Sequence, residues 1–464
     1  MIPFKKIIGC ALALFAVVVL TSCGAAVKMC KEPQLDMPKA YIAGELDSLT
    51  IADMRWWEFY GDEVLAGFIN HALENNKDIL AAAAKVEQMR LLNKSSRAEW
   101  YPHVEASAMA DREVENYTDK GHTVTPQVDL KMSVGWEIDL WGNIKWATRK
   151  SSAEYLATVE AERAMRMTVI AGVATIYYQL LALENELHIV NRTLLTRSEG
   201  VEQAKLRYEG GLTSETVYQQ AQVEYATTAS LIPAIKTRIE AAKSSLTLLL
   251  GEYPDFELEY AKMQIFDREI PASLPMGLPS DLLTRRPDIR ASEQALKAAS
   301  AAVGVAYTDR FPKLTLGITG GWENGSFAEF FSAPYALAVG DIVAPVFEFG
   351  RRKAKYEAAI QAYDVARLNY EKRVIEAFKE CSDAVVRYRN AREATELKDN
   401  LREAAFKYVE LATFQYKFGD VKYINVLDAQ RRYFDAQIGL SNAVMEENIA
   451  LVRLYKALGG GWQE

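Results

Sequence analysis

An α+β, mainly α, fold built from two duplicated helical-hairpin halves is what this 464-residue sequence predicts. Three observations predict it: motifs that recur at fixed spacing, two very long stretches without proline, and alternating segments placed just before each stretch. Together they imply a long coiled-coil α-barrel, with four β-strands per chain contributing to a twelve-stranded trimeric transmembrane β-barrel.

The duplication comes first. Tyr208-Glu209-Gly210-Gly211 recurs as Tyr416-Lys417-Phe418-Gly419, Ala221-Gln222 as Ala429-Gln430, and Leu250-Gly251 as Leu458-Gly459, each pair 208 positions apart. Upstream, Asp78-Ile79 answers to Asp288-Ile289 and Tyr101-Pro102 to Phe311-Pro312, with the offset slipping by two. Self-similarity of this extent marks two related halves, expected over 61–251 and 280–459, with a proline-punctuated linker over 252–279 and a flexible, triglycine C-terminal end at 460–464.

The alternating segments follow. Val128, Leu130, Met132, Val134, Trp136, Ile138 and Leu140 are apolar, and Gln127, Asp129, Lys131, Ser133, Glu137 and Asp139 lie between them, which is period two. Val104 to Ala110 alternate with His103 to Asp111, and Leu314, Leu316 and Ile318 with Thr315 and Thr319. Strands are expected at 102–118, 125–140, 313–323 and 335–347. A strand of about 13 residues at roughly 3.3 Å each exceeds the ~30 Å hydrocarbon layer, and four strands cannot close around a lumen, although lipid demands closure. Three chains supply twelve.

The long stretches, 143–208 and 351–416, each predict a helix of about 100 Å. Val169, Val173, Ile176, Leu180, Leu183 and Leu187 step by four and three, the seam of a supercoiled pair, as do Val374, Phe378, Cys381 and Val385. Helices at 214–250 and 422–458 return antiparallel after the Gly211 and Gly419 turns, and helices at 63–100 and 280–309 lead into the strands.

Composition narrows function. A net charge of -8 opposes nucleic-acid binding. Lys5 and Lys6 followed by the apolar run Ile7–Leu20 read as an export signal over 1–22, ending at Cys23 in a lipobox-like Leu-Thr-Ser-Cys that makes Cys23 the expected lipid anchor and 23–60 an anchored segment. Four histidines without a second ligand at metal spacing predict no metal site, no phosphate-cradling loop or nucleophile elbow occurs, and no cofactor is expected. Arg285 and Arg286 read as a surface pair before a helix whose first turn holds Pro287 and Asp288.

Leu282 to Arg290, Tyr416 to Gln430 and Leu454 to Trp462 resemble the outer membrane factor family, and more narrowly its NodT and OprM-like lipoprotein branch, related to TolC. The resemblance implies a trimeric channel-tunnel in the outer membrane, reaching into the periplasm to an adaptor protein and, through it, an inner-membrane pump of resistance-nodulation-division type. It places Asp428 at the periplasmic aperture, with Asn425 where the family's second aspartate stands and Val421 where a gating arginine stands, so a TolC-type latch is in doubt. It makes the turns around Tyr208, Gly211, Tyr416 and Gly419 the expected adaptor contacts. Glu105, Asp129, Lys131, Glu137 and Asp139 are the expected pore-facing strand residues. A type I protein-secretion duct and a periplasmic coiled-coil lipoprotein without a lumen stay open as alternatives.

Overall fold

The structure, a computed structural model, describes residues 30, 33, 35, 50–117, 121–260, 281–325 and 327–462. The signal segment, Cys23 and most of the inter-repeat linker lie outside them. In chain order the elements are α1 (Trp56–Tyr60), α2 (Glu63–Asn75), α3 (Lys77–Ala98), β1 (His103–Tyr117), β2 (Gly121–Ile138), α4 (Asn143–Glu209), α5 (Glu215–Leu250), α6 (Leu282–Arg285), α7 (Pro287–Thr308), β3 (Lys313–Asn324), β4 (Pro334–Val343), α8 (Arg351–Phe418) and α9 (Tyr423–Ala457). Short 3₁₀ turns occupy Ile51–Asp53 and Phe327–Ser332.

The chain divides into two compact units that cut across the sequence halves: Met1–Gln34, Lys85–Val159 and Ala291–Glu371 form one, and Leu35–Ala84, Glu160–Arg290 and Lys372–Glu464 the other. The first holds the sheet, ordered β1-β2-β3-β4 and antiparallel throughout. Its strand-to-helix junctions repeat as the halves do. Gly142 and Gly350 both adopt left-handed φ, +81° and +82°, a conformation glycine tolerates without strain, and Phe349 beside the second has φ +49°. Asn143 ties the start of α4 to α7 by donating to Thr308 Oγ1 at 3.0 Å and Asp309 Oδ1 at 2.8 Å.

In the second unit the broad apolar face of α4 buries Val173, Tyr177, Leu180 and Leu181, each 0–1% exposed, so the heptad seam is only part of a wider contact surface. Phe59 stacks on Tyr455 at 4.1 Å. In α8, Val374, Cys381 and Val385 are buried as the seam requires, and Cys30 and Cys381 form no disulfide among the described residues.

Several expectations need correction. The helix expected over 63–100 breaks at Asn76, whose backbone is extended and whose side chain accepts the first N–H groups of α3, from Asp78 at 3.0 Å and Ile79 at 3.1 Å. The helix expected over 280–309 breaks at Arg286, because the residue before Pro287 is pushed out of the helical region. Strand β4 stops at Val343 rather than 347, since Pro345 has no N–H for the ladder. Arg286 is not a surface residue: it is 2% exposed. The triglycine end is not flexible over 459–461; these residues are buried, Cβ atoms on Gly460 would lie 2.3 Å from the Tyr455 ring, and Trp462 Nε1 donates to the Arg285 carbonyl at 3.0 Å. The arginines Arg163 and Arg290 sit over the Trp462 ring at 5.1 and 5.7 Å, closing a clasp between the C-terminus and the arginine-proline stretch.

Candidate functional site

Two sites carry the chemistry, and each is described within its own compact unit. The first is the sheet. Cross-strand partners have like parity, Glu105 with Ser133, Ser133 with Thr319 and Thr319 with Leu337, so odd-numbered residues of all four strands share one face and even-numbered ones the other.

The even face is apolar apart from Arg112 toward the far end of β1: Val104, Ala106 and Ala108 on β1, Leu130, Met132, Val134 and Trp136 on β2, Leu316 and Ile318 on β3, Ala338 and Ile342 on β4. It is also bare: Val104, Met132, Ile318 and Ile342 are 58–62% exposed. A soluble sheet hides such a face; this one presents it.

The odd face carries most of the sheet's charges, knitted across strands, although β4 also places Leu337, Val339 and Val343 on it. Asp129 is 4% exposed, pairs with Lys131 at 2.7 Å and accepts from Tyr335 at 3.3 Å. Glu137 pairs with Lys313 at 3.0 Å, and Gln127 donates to Glu323 at 2.7 Å. Glu105, Asp111 and Asp341 share the face. Of the expected strand residues, Glu105, Asp129, Lys131 and Glu137 lie on it. Asp139 does not: it falls one residue beyond β2, and its carboxylate accepts from the N–H groups of Ile144 at 3.1 Å and Lys145 at 2.9 Å, capping α4. Lys313, Glu323 and Asp341 escaped the sequence reading because their alternation is interrupted by glycines.

The second site is the pair of hairpin turns joining α4 to α5 and α8 to α9. Both are the same backbone device. Gly211 N–H donates to Tyr208 and Leu212 N–H to Arg207, at 2.9 and 2.8 Å; Gly419 and Asp420 do likewise to Tyr416 and Gln415, at 3.1 and 2.9 Å. With φ +71° and +85° at the two glycines, these are Schellman caps. Leu212 and Phe418 beside them are 74% and 69% exposed.

Side chains around the turns bring the two hairpins together. Arg207 lies over the Tyr416 ring at 5.4 Å, Tyr416 meets Tyr423 at 5.4 Å, and Tyr208 stacks on Tyr218 at 6.2 Å. Deeper, Glu224 of α5 bridges Arg197 of α4 at 3.2 Å and Arg431 of α9 at 3.4 Å. Arg197 is 7% exposed; burial holds its guanidinium below the usual value even with Glu224 alongside. Burial also raises the Tyr423 hydroxyl, and Glu224 adds to the effect.

Asp428 sits in the second turn of α9, Asn425 one turn earlier and exposed. Asp428 is not alone: Arg432 Nε donates to it at 2.8 Å, and that hydrogen bond, with the charges of Arg432 and Arg431, holds its carboxyl below the ordinary range. The i,i+4 spacing of Asp428 and Arg432 is the sequence signal for this pair. Among the described residues no cluster of three potential metal ligands occurs. Cys23 lies outside the described residues.

Residues 68–252 and 278–460 match the outer membrane efflux protein family. The chain is 30% identical over 431 residues to the probable efflux pump outer membrane protein TtgC of Pseudomonas putida KT2440, covering 92% of this chain and 89% of that one. It is 31% identical over 430 residues to the solvent efflux pump outer membrane protein SrpC of Pseudomonas putida, covering 90% of each. Among solved structures, the outer-membrane channel OprN is similar with a TM-score of 0.84 and 26% identity, over 94% of this chain and 100% of that one.

Proposed function

This chain belongs to the outer membrane efflux protein family, and on that premise we propose how its residues form and close the conduit. It is an outer-membrane exit channel of a tripartite efflux system, a passive path for small molecules expelled from within. No catalytic step is needed or assigned.

The observation that carries the reading is the two-faced sheet. Its apolar, uncovered face meets lipid, and the outer edges of β1 and β4 have no strand partner among the described residues. Lipid leaves no open edge unpaired, so neighbouring copies pair there, and three copies make twelve strands. The odd face then lines the lumen, where Glu105, Asp111, Asp129, Glu137, Glu323 and Asp341 outweigh Lys131 and Lys313. That excess favours cations.

At the turns, three copies of Asp428 and Asn425 ring the aperture. Because each Asp428 has Arg432 beside it, the ring is partly neutralised from within each chain, and like-charge repulsion alone does not set its diameter. The holding contacts are the Arg197–Glu224–Arg431 relay and Arg207 over Tyr416, which link the two hairpins where a TolC-type latch lacks its residues. Tyr208, Gly211, Tyr416 and Gly419, with the exposed Leu212 and Phe418, present the surface for a periplasmic adaptor, which connects to an inner-membrane pump of resistance-nodulation-division type. Cys23 carries the lipid anchor, a point intact-mass measurement of the mature protein decides.

Purified trimer in planar bilayers tests the reading. Cation-selective current is expected, with Asp428→Asn shifting the reversal potential toward zero. An anion preference, or protein that inserts without conducting, overturns it.

A further inference from the structure

A cleft of about 430 Å³ in the same compact unit as the turns lies where α4, α7, α8 and α9 meet, away from the aperture. Five basic and three acidic side chains line it. The acids are already committed. Asp288 is bound by Arg286 and Arg373, Glu380 by the same two arginines, and Asp383 pairs at 2.7 Å with Lys379, which does not line the cleft. That leaves Arg387, Arg453 and Lys456, none of which forms an ion pair within 4.0 Å among the described residues.

Three cations facing one cleft, none in direct contact with a carboxylate of its own, leave donors open for a ligand, and one of the three is partly withdrawn from water. Lys456 is half-buried, and its ammonium is pushed below its usual value by burial, with Arg286 and Arg373 adding to the effect while Glu380 and Asp288 oppose it. The last-turn position of Lys456 on α9 complements the helix C-terminus and explains one charge; it leaves Arg387 and Arg453 on the same cleft unexplained. The volume falls within the roughly 300–1,000 Å³ of small-molecule sites, and fork-shaped guanidinium groups are the donors suited to planar or tetrahedral oxygen anions.

We propose that this cleft binds an oxyanion group, phosphate or carboxylate, held by Arg387, Arg453 and Lys456. Arg286 and Arg373, saturated by Asp288 and Glu380, frame the site without holding the ligand. The site stands apart from the conduit reading, and either can fail without the other.

Titration calorimetry on the full-length trimer in neutral detergent at low ionic strength, with inorganic phosphate and with citrate as separate probes, tests it. Saturable binding is expected for at least one: phosphate alone assigns a phosphoryl group, citrate alone a carboxylate. Lys456→Met combined with Arg453→Gln is expected to weaken it at least tenfold, and Arg387→Gln, an exposed position that leaves the fold intact, by a smaller factor. No saturable binding of either probe to the wild-type trimer, or equal binding by all variants, overturns the proposal.

Discussion

The two halves of this chain solve the same structural problem with different chemistry, and the difference separates scaffold from function. Where the returning helix of each half ends against the break in that half's leading helices, the backbone repeats: Gly251 and Gly459 both adopt left-handed φ, +78° and +90°, and both abut the residue that precedes the break, Asn75 or Arg285. In the first half Asn76 donates to the Leu249 carbonyl at 2.8 Å; at the matching position of the second half Arg286 donates to the Ala457 carbonyl at 3.1 Å. One junction is closed by a neutral amide, the other by an ion network built on the buried Arg286, with Asp288, Arg373 and Glu380 around it. The turns diverge in the same way. Their Schellman caps match, yet Gln220 stands in the first half where Asp428 stands in the second, and Glu224 where Arg432 stands. Backbone devices are shared by the halves, and charge is what distinguishes them.

The largest expected effect tests the junctions. Arg286→Met removes the buried member of the network, leaving the part-buried Asp288 to Arg373 alone and the Ala457 carbonyl without its donor, and loss of about 3 kcal/mol of stability is expected; Asn76→Ala, which removes a cap and one hydrogen bond, costs about 1–2 kcal/mol. Thermal unfolding of the detergent-solubilised trimer measures both, and equal losses would erase the distinction drawn between the halves. Acidity sharpens it. Burial alone would raise the Asp288 carboxyl, but hydrogen bonds and charge from Arg286 and Arg373 outweigh it and hold the group well below the usual range. A depressed folded value means the stabilisation is fully present above the unfolded value of about 3.9 and is lost as pH falls through the folded one. The deficit of Asp288→Asn is therefore expected to be constant from about pH 5 to 8 and to shrink only below about pH 4.

Next in size are the glycines. An added methyl at Gly251 would stand 2.2 Å from the Asn75 carbonyl oxygen, whereas at Gly211 nothing lies within 4 Å. Gly211→Ala therefore bears only the left-handed backbone cost, about 1 kcal/mol, and Gly251→Ala that cost plus displacement of the α2 terminus. A larger loss at Gly211 than at Gly251, read from the same unfolding midpoints, would show that the turn is packed more tightly in the trimer than in the single chain.

Much of this fold was legible beforehand, and the reasons differ by element. The strands were readable because period two leaves no ambiguity when one face is wholly apolar, as from Val128 to Ile138. The long helices were readable from what they lack. The breaks at Asn76 and Arg286 have local causes, an Asn that caps the next helix and a residue before Pro287, but both lie inside otherwise continuous helical stretches, and the contacts that anchor them reach carbonyls more than 170 positions away in sequence. Asp139 was misplaced because alternation continues past the strand end, while a capping role is fixed by the helix that follows. At the turns the motif located Asp428, but Arg431 finds Glu224 and Arg207 finds Tyr416 only once two hairpins are side by side, and spacing along one chain cannot reveal that.

The smallest expected effect bears most directly on closure. Arg207 over Tyr416 joins the hairpins through a partly exposed cation–π contact, a class of interaction worth about 0.5–1 kcal/mol. Arg207→Gln should hardly move the unfolding midpoint, because the Schellman caps and the Glu224 relay remain. A bias of that size still raises the population of an open aperture about two- to five-fold, provided the contact is broken in the open state. Open probability in single-channel recordings, compared with Glu224→Gln, which cuts the relay between Arg197 and Arg431, apportions the latch between the two links. Should Arg207→Gln leave open probability unchanged while Glu224→Gln raises it, the ion relay alone holds the hairpins, and the aromatic contact serves only to pack the turn.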